Sequence, residues 1–247
     1  MLLKQQGKLS YSDSLRKFFP DFPYQKITVH QLLIHRSGLP NYMYFADEHW
    51  KDSRNRTIDN KDVVDLFIKH KPLPYYLPGR RYNYNNTNYA LLASIVEKVS
   101  GKSYHDFLDQ EIFTHLEMNN TYVYDKNLDS LNTSKVKGYV SWRRRAENTY
   151  LNGVVGDKGI YSTVEDMNKF SRALFEGTLV RKEEIETGYQ LGHDELYDHD
   201  NYGYGWRINM MSDSSKIVYH TGWWKGFRSY FIRSLVDEKT IIVLTNK

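Results

Sequence analysis

Residues 82–90 read YNYNNTNYA, a cluster of phenols and carboxamides placed directly ahead of an apolar run. A phenol can carry a proton to or from a reacting atom, and a carboxamide can donate and accept hydrogen bonds at once. The same types also have a structural use, because Asn is a preferred helix N-cap and a Tyr ring is large packing surface. Tyr84 and Asn86 therefore stand either at a substrate or at a helix end. Farther along, His220-Thr221-Gly222-Trp223 joins an imidazole to a glycine that lets another backbone approach a strand closely. An ordinary strand running into a turn would read the same way. His30 and His35 lie five apart, on different faces of a helix, which disfavours a shared metal. GHDELYDHD at 192–200, with His193 and His199, has the donors for a divalent ion but reads first as a solvated loop. The sequence has no Gly-x-Ser-x-Gly elbow, Walker loop, His-Glu-x-x-His or dinucleotide-binding glycine turn.

These residues need a scaffold, and its grammar is legible. In ITVHQLLIH, Thr28 and Gln31 form a capping-box pair ahead of Leu32 and Leu33, and SGLPNY ends that helix early. A longer helix is predicted from about Asn88 to Ser100, with Leu91, Leu92, Ile95, Val96 and Val99 as its stripe and Gly101 as its C-terminal stop. A shorter one is expected from Tyr104 to Ile112. STVEDMNKFSRALFEG predicts another, with Ser162 and Glu165 as capping box, Met167, Phe170, Ala173 and Leu174 inward, and Gly177 as stop. After about residue 202 the period becomes that of strands. GYGWRINM, KIVYHTG, FRSYFIRSL and TIIVLTNK are linked briefly enough to favour an antiparallel sheet.

A chain of 247 residues with 40% hydrophobic content can bury a sizeable core, and no repeat or linker divides it. Its net charge of +4 is mild, and the one dense basic run, Arg143-Arg144-Arg145, lies in no nucleic-acid motif, so nucleic acid is not an expected partner. Cysteine is absent, which excludes disulfides, thiol catalysis and Cys-ligated metal. No apolar run reaches the roughly 18 residues of a membrane span, and no signal peptide opens the chain. MLLKQQGKLS reads as the end of a helix, and TIIVLTNK as a strand at which the chain stops. An internal fragment of a longer protein is therefore expected.

Taken in order, ITVHQLLIHRSGLP, PGRRYNYNNTNYALLASIVEKVSG, GDKGIYSTVEDMNKFSRALFEG and HTGWWKGF resemble the beta-lactamase-related serine hydrolases. That family holds class C beta-lactamases, D-Ala-D-Ala carboxypeptidases and related esterases. The resemblance spans nearly the whole chain and implies an α+β fold of the beta-lactamase/transpeptidase type. One domain is expected, with a mainly helical lobe at about 20–160 packed on a helix-flanked antiparallel sheet within 161–247, and a cleft between them. The family's Tyr-x-Asn motif falls on Tyr84-Asn85-Asn86. It implies Tyr84 as general acid/base and Asn86 as the amide orienting catalytic lysine and substrate. Asn85 stands where the family often has Ser, a change tolerated if its side chain points away from the cleft. The Lys/His-Thr-Gly motif falls on His220-Thr221-Gly222. By the same resemblance His220 supports a substrate carboxylate or the Tyr84 oxygen, Thr221 and Gly222 line the substrate, and the Trp223 N–H is half of an oxyanion hole.

The family's nucleophile lies in a Ser-x-x-Lys motif on a helix that ends in a Gly-Lys-Leu sequence like Gly7-Lys8-Leu9, which places it before Met1. Ser14-Leu15-Arg16-Lys17 and Ser134-Lys135-Val136-Lys137 match only by accident, one being downstream of that turn and the other out of motif order. For Tyr84 to serve as a base near neutrality its pKa must fall from about 10 toward 7, roughly 4 kcal/mol. A cation about 4 Å away at an effective dielectric near 20 supplies about that much, and the motif's lysine is the natural source, since His220 is mostly neutral at pH 7. The resemblance thus implies acyl-enzyme chemistry on an amide, ester or lactam, with no cofactor or metal. It also implies a small-molecule or peptidoglycan-peptide-like substrate and an extracytoplasmic location. Oligomeric state is not legible. A non-catalytic ligand-binding or sensor module and a metal-binding protein built on GHDELYDHD remain as alternatives.

Overall fold

A computed structural model describes residues 1–51, 56–125, 136–192 and 201–247. Its first half is helical: α1 (Leu2–Gln5), α2 (Leu15–Phe18), α3 (Val29–Leu33), α4 (Tyr42–His49), α5 (Asn60–His70), α6 (Asn86–Ser100) and α7 (Tyr104–Leu108), the last running into a π-helical turn over Asp109–Phe113. Small strands follow: β1 (Tyr122–Val123), the ribbon of β2 (Tyr139–Ser141) with β3 (Arg144–Arg145), and β4 (Ile160–Tyr161), which pairs with β1. Then come α8 (Val164–Glu176), α9 (Lys182–Gly188) and an antiparallel sheet of β5 (Arg207–Met210), β6 (Lys216–Trp224), β7 (Phe227–Ser234) and β8 (Lys239–Thr245), paired in that order. This is the α+β arrangement expected.

The helix ends follow side-chain capping. Thr28 and Gln31 close the capping box of α3 as predicted, and Gly101, at φ 70°, ends α6 in the left-handed region that suits glycine. Two starts differ from expectation. α6 begins at Asn86, because the Asn85 side chain accepts from the Thr87 N–H and so makes Asn85 the N-cap. α8 is capped by Thr163, which accepts from Asp166 N–H, while Ser162 Oγ bonds instead to Thr121 Oγ1 at 2.7 Å. α4 and α5 had no predicted counterpart; α5 opens with its own capping box, Asp59 with Asp62.

α6 is the spine of the helical core. Its Ala90, Leu91 and Ile95 meet Leu15, Leu32, Phe67 and Tyr42, all nearly solvent-free, and each such side chain contributes about 1.5–3 kcal/mol by burial. The loop after α3 is held against this core by close backbone contact. Gly38 has φ 74°, and a Cβ there would lie 2.0 Å from the Tyr76 carbonyl oxygen, so the Ser-Gly-Leu-Pro turn has no room for a side chain.

A second core lies between α8, α9 and one face of the sheet, where Ala173 and Ile185 meet Ile208 and Val218. Arg233 belongs to this face and is fully buried. Its guanidinium donates to Ser171 Oγ (3.1 Å), to the Ser171 carbonyl (3.2 Å) and to Tyr189 Oη, and stacks 3.8 Å from the Phe175 ring, so hydrogen bonds and a π-face stand in for a carboxylate. The opposite face is exposed at Trp223, Tyr230, Ile241 and Val243, and among the described residues β8 is an edge strand. Arg233→Ala, which removes three hydrogen bonds and leaves a cavity, is expected to lower unfolding free energy by about 3 kcal/mol. Arg233→Met should cost distinctly less, and urea melts of the two variants test this ordering.

Candidate active site

His35 builds the site from beneath. It follows α3 in a left-handed conformation, φ 56°, and is 1% exposed. Its carbonyl accepts from Asn83 N–H (2.9 Å), and its Nδ1 accepts from Asn85 N–H (3.1 Å) and Asn88 Nδ2 (3.0 Å). The backbone N–H can only donate, so Nδ1 is unprotonated and the ring proton sits on Nε2, which is buried with no hydrogen-bond partner. Tyr84 is thereby gripped on both sides, and its ring lies 4.3 Å from the imidazole, with Tyr202 at 4.6 Å and Tyr89 at 5.0 Å. Burial, then the neighbouring His220 and Arg207, push the His35 pKa down to about 3.

The two asparagines divide the roles left open by the sequence. Asn85 is 2% exposed, caps α6 and donates to the Leu39 carbonyl, so it points away from any cleft. Asn86 is half-buried on the first turn of α6, where its Nδ2 donates to Met43 Sδ at 3.4 Å. It follows Tyr84 by two residues in the chain, and its side chain bonds to Met43 rather than to Tyr84 or His220.

β6 brings the second motif to the same place. The His220 ring lies 6.0 Å from that of Tyr84, and its Nε2 is 2.9 Å from Tyr202 Oη. Burial and then Arg207 lower the His220 pKa to about 4, so the imidazole is neutral at pH 7. Arg207, at the start of β5, holds its guanidinium 5.2 Å from the centre of the Tyr84 ring. Burial raises the Tyr84 pKa, Arg207 works against that, and Asp157 adds to it. Among the described residues no carboxylate pairs with Arg207.

The register gives β6 an open edge. Lys225 and Gly226, at φ 46° and 84°, form the two-residue turn to β7, so Trp224 and Phe227 close the hairpin as a hydrogen-bonded pair. By alternation the N–H and C=O of Thr221 and Trp223 point away from β7, and β5 pairs with β6 only as far as Arg207 opposite Tyr219. The backbone groups of Thr221 and Trp223 therefore form a strand edge with no strand partner among the described residues. Their side chains lie on the exposed face of the sheet, opposite His220, Gly222 and Trp224.

The loop at 156–159 adjoins the end of β6. The Lys158 ammonium donates to Tyr42 Oη (2.6 Å) and Asp157 Oδ1 (3.2 Å), the Tyr42 hydroxyl donates to Asp157 Oδ2 (2.9 Å), and the ammonium lies 5.0 Å from the Trp224 ring. Burial pushes Asp157 up and Lys158 down, and each is held back by the charge of the other.

The remaining candidates fall elsewhere. Ser14 caps α2 and Lys17 pairs with Asp13 at 2.8 Å, which leaves that Ser-x-x-Lys match as a helix start with a surface ion pair. Ser134 and Lys135 lie outside the described residues, as do residues 193–200 of the acidic stretch. His30 bonds through Nδ1 to Tyr204 Oη (2.8 Å), apart from His35, and no group of metal-binding side chains occurs among the described residues. Sequence reasoning missed Arg207, Tyr202 and the structural use of His35. In sequence His35 reads only as a candidate metal ligand and Ser37 only as part of the helix-ending SGLPNY turn, although Ser37 Oγ also reaches Asn88 Oδ1.

A neutral imidazole, a phenol and a guanidinium that has no carboxylate partner among the described residues thus meet beside the unpaired edge of β6. The beta-lactamase family model matches residues 1–247, and the chain belongs to that family. Penicillin-binding protein 4* of Bacillus subtilis (strain 168) is 35% identical to it over 263 residues, covering 100% of this chain and 57% of that protein. The octameric penicillin-binding protein homologue from Pyrococcus abyssi superposes with a TM-score of 0.82 at 27% identity, covering 100% of this chain and 58% of that one. The penicillin-binding protein from Bacillus halodurans superposes at 0.81 with 28% identity, covering 99% and 75%. The chain thus spans little more than half the length of the curated relative. Among the described residues no helix is long and apolar enough to cross a membrane.

A histidine whose pKa is lower folded than unfolded takes up its proton more readily when unfolded. Its contribution to stability is therefore full above about pH 6.5 and is lost as pH falls toward 3. Urea midpoints at pH 7, 6 and 5 should fall, and in His35→Gln the slope below pH 6 should be shallower by up to about 1.4 kcal/mol per pH unit. Parallel slopes would remove His35 from this account.

Proposed function

We propose that this chain supplies the acid/base and substrate-cradling parts of a serine acyl-transfer hydrolase acting on an amide, ester or beta-lactam carbonyl. The observation that carries the reading is the convergence of Tyr84, His220 and Arg207 beside the open edge of β6. In this reading the lysine that accompanies the nucleophile holds Tyr84 as phenolate; the serine hydroxyl attacks the carbonyl carbon, its proton passes to the phenolate, and Tyr84 returns it to the leaving group as the acyl-enzyme forms; water then releases the acyl group. The Trp223 N–H supplies half of the oxyanion hole, Thr221 and Gly222 align the substrate along the strand, and Asn86 turns from Met43 to orient it. His220 is neutral and holds its place by hydrogen bonding. Arg207 is the cation that meets a substrate carboxylate, which favours small penicillin-like or D-amino-acid peptide substrates. The name of the Bacillus subtilis relative supports the penicillin-like class, and an extracytoplasmic site of action belongs to the same reading.

Serine and lysine of the Ser-x-x-Lys pair come, in this reading, from polypeptide beyond these 247 residues, for which the length of the relatives leaves room. The raised pKa of Tyr84 favours a second reading for the chain by itself, that of a ligand-binding module without chemistry.

Fluorescent penicillin separates the readings. The 247-residue chain is expected to bind it reversibly at most, whereas a chain extended by its genomic upstream sequence should become covalently labelled at an upstream serine. In the extended protein Tyr84→Phe should slow acylation by about a hundredfold or more, and Arg207→Gln should raise KM about tenfold for substrates bearing a carboxylate. Labelling at a serine within residues 1–247 would refute the proposal. An extended protein that binds but never acylates would leave the binding module.

A further inference from the structure

The basic run at 143–145 is not used by the groove. It lies at the tip of the β2–β3 ribbon with Trp142, which is 78% exposed. Two other segments meet that ribbon. The β6–β7 turn packs on it so closely that a Cβ at Gly138 would lie 2.1 Å from the Lys225 carbonyl oxygen, and one at Gly226 would lie 2.4 Å from Tyr139 N. Tyr139 N–H donates to the Asn246 carbonyl (2.8 Å), and Asn246 Nδ2 donates to the Lys137 carbonyl (2.9 Å). The ribbon, the turn and the end of β8 therefore form one surface.

Its composition is one-sided. Residues 136–147, 222–228 and 245–247 carry seven Lys and Arg side chains against one acidic side chain, Glu147. Two tryptophans stand out of it, Trp142 and Trp223, each 78% exposed, with Val140 52% exposed between strand and tip. An open depression of about 280 Å³, lined by Val140, Arg144, Arg145 and Glu147, lies in the ribbon. Exposed indoles amid clustered cations match one kind of partner surface: an apolar layer under an anionic headgroup layer, where indoles sit at the boundary and each Lys or Arg near it adds attraction.

We propose that this face docks on an anionic lipid bilayer, with Trp142 entering the headgroup boundary and Arg143, Arg144 and Arg145 on lipid phosphates. A polyanion that stacks on rings, such as single-stranded nucleic acid, fits less well. Lys247 already lies over the Trp142 ring at 5.0 Å and Arg228 over the Trp223 ring at 5.5 Å, so cations occupy faces that stacking would use. Insertion at a headgroup boundary leaves these pairs intact. Because Trp223 ends the open edge of β6, docking sets that end of the groove beside the membrane surface.

The test needs no catalysis, so its outcome is independent of the hydrolase reading. The 247-residue chain is mixed with vesicles of phosphatidylcholine alone, or with about one-third phosphatidylglycerol, at about 0.1 M and 0.5 M salt, and co-sedimentation is measured. Brominated phosphatidylcholine in the same vesicles reports indole insertion by quenching. Expected are at least about tenfold preference for the anionic vesicles, loss of most binding at high salt, and indole quenching that drops in Trp142→Ala. Changing Arg143, Arg144 and Arg145 together to Gln should reduce binding about tenfold or more while circular dichroism and melting stay unchanged. The proposal is overturned by absence of binding, by binding and quenching that both variants leave intact, or by equal capture on a soluble polyphosphate without lipid quenching. The last result would assign the face to polyanions.

Discussion

The groove depends on one buried imidazole staying uncharged. His35 can accept the N–H groups of Asn85 and Asn88 only with the Nδ1 lone pair free, and burial keeps it so far below neutral pH. Its left-handed backbone costs on the order of 1 kcal/mol for a non-glycine residue. Three hydrogen bonds to the 83–88 segment, each contributing about 1 kcal/mol, offset that strain. Protonation would replace an acceptor by a donor facing two donors, and would add a charge near Arg207. The conformation of Tyr84 is thus bound to the protonation state of a residue that touches no solvent.

The 156–159 loop is fixed by a different economy of charge. Asp157, Lys158 and Tyr42 close a hydrogen-bonded triangle in a place where either ion alone would be strongly destabilised. Because Lys158 also lies against Trp224, whose indole N–H donates to Asn152 Oδ1 (2.9 Å), the triangle sets where the end of β6 stands relative to the helical core. A second tie runs through Tyr202, which is hydrogen-bonded to His220 and packed on His35. Strand and helices are joined at the points where the groove needs them to hold a constant separation.

Local grammar was legible wherever one side chain decides a local outcome. Thr28, Gly101 and Gly177 act through their own backbone neighbourhood, and the structure has a helix boundary at each. The start of α6 was misjudged because YNYNNTN offers several capping residues in succession. What selects Asn85 is a tertiary bond, its amide to the Leu39 carbonyl, which no local pattern contains. α5 was unforeseen although its signals are local, an Asp59–Asp62 capping box followed by Val63, Val64, Leu66 and Phe67. For the site, motif resemblance found Tyr84 and His220, which are close in space, but the partners that tune them come from the turn after α3 and the start of β5. Arg207 reads in sequence as one more strand arginine. Its meaning arises only when β5 stops pairing at Tyr219 and leaves the guanidinium over the Tyr84 ring.

The electrostatics of Tyr84 favour one of the two roles proposed for it over the other. Burial and Asp157 raise the phenol's pKa, and Arg207, the cation at hand, does not reverse the sign. A phenol in that state holds its proton through the whole neutral range, which suits it to protonate a leaving group and not to strip a nucleophile. Moving its pKa from about 10 to 7 needs roughly 4 kcal/mol, about what one further cation 4 Å away gives at an effective dielectric near 20. Since His220 and His35 are neutral and Lys158 is tied to Asp157, none of the site's other basic groups provides it. In the proposed reaction these residues would therefore serve binding and protonation, and deprotonation would be the step that needs a further positive charge beside Tyr84.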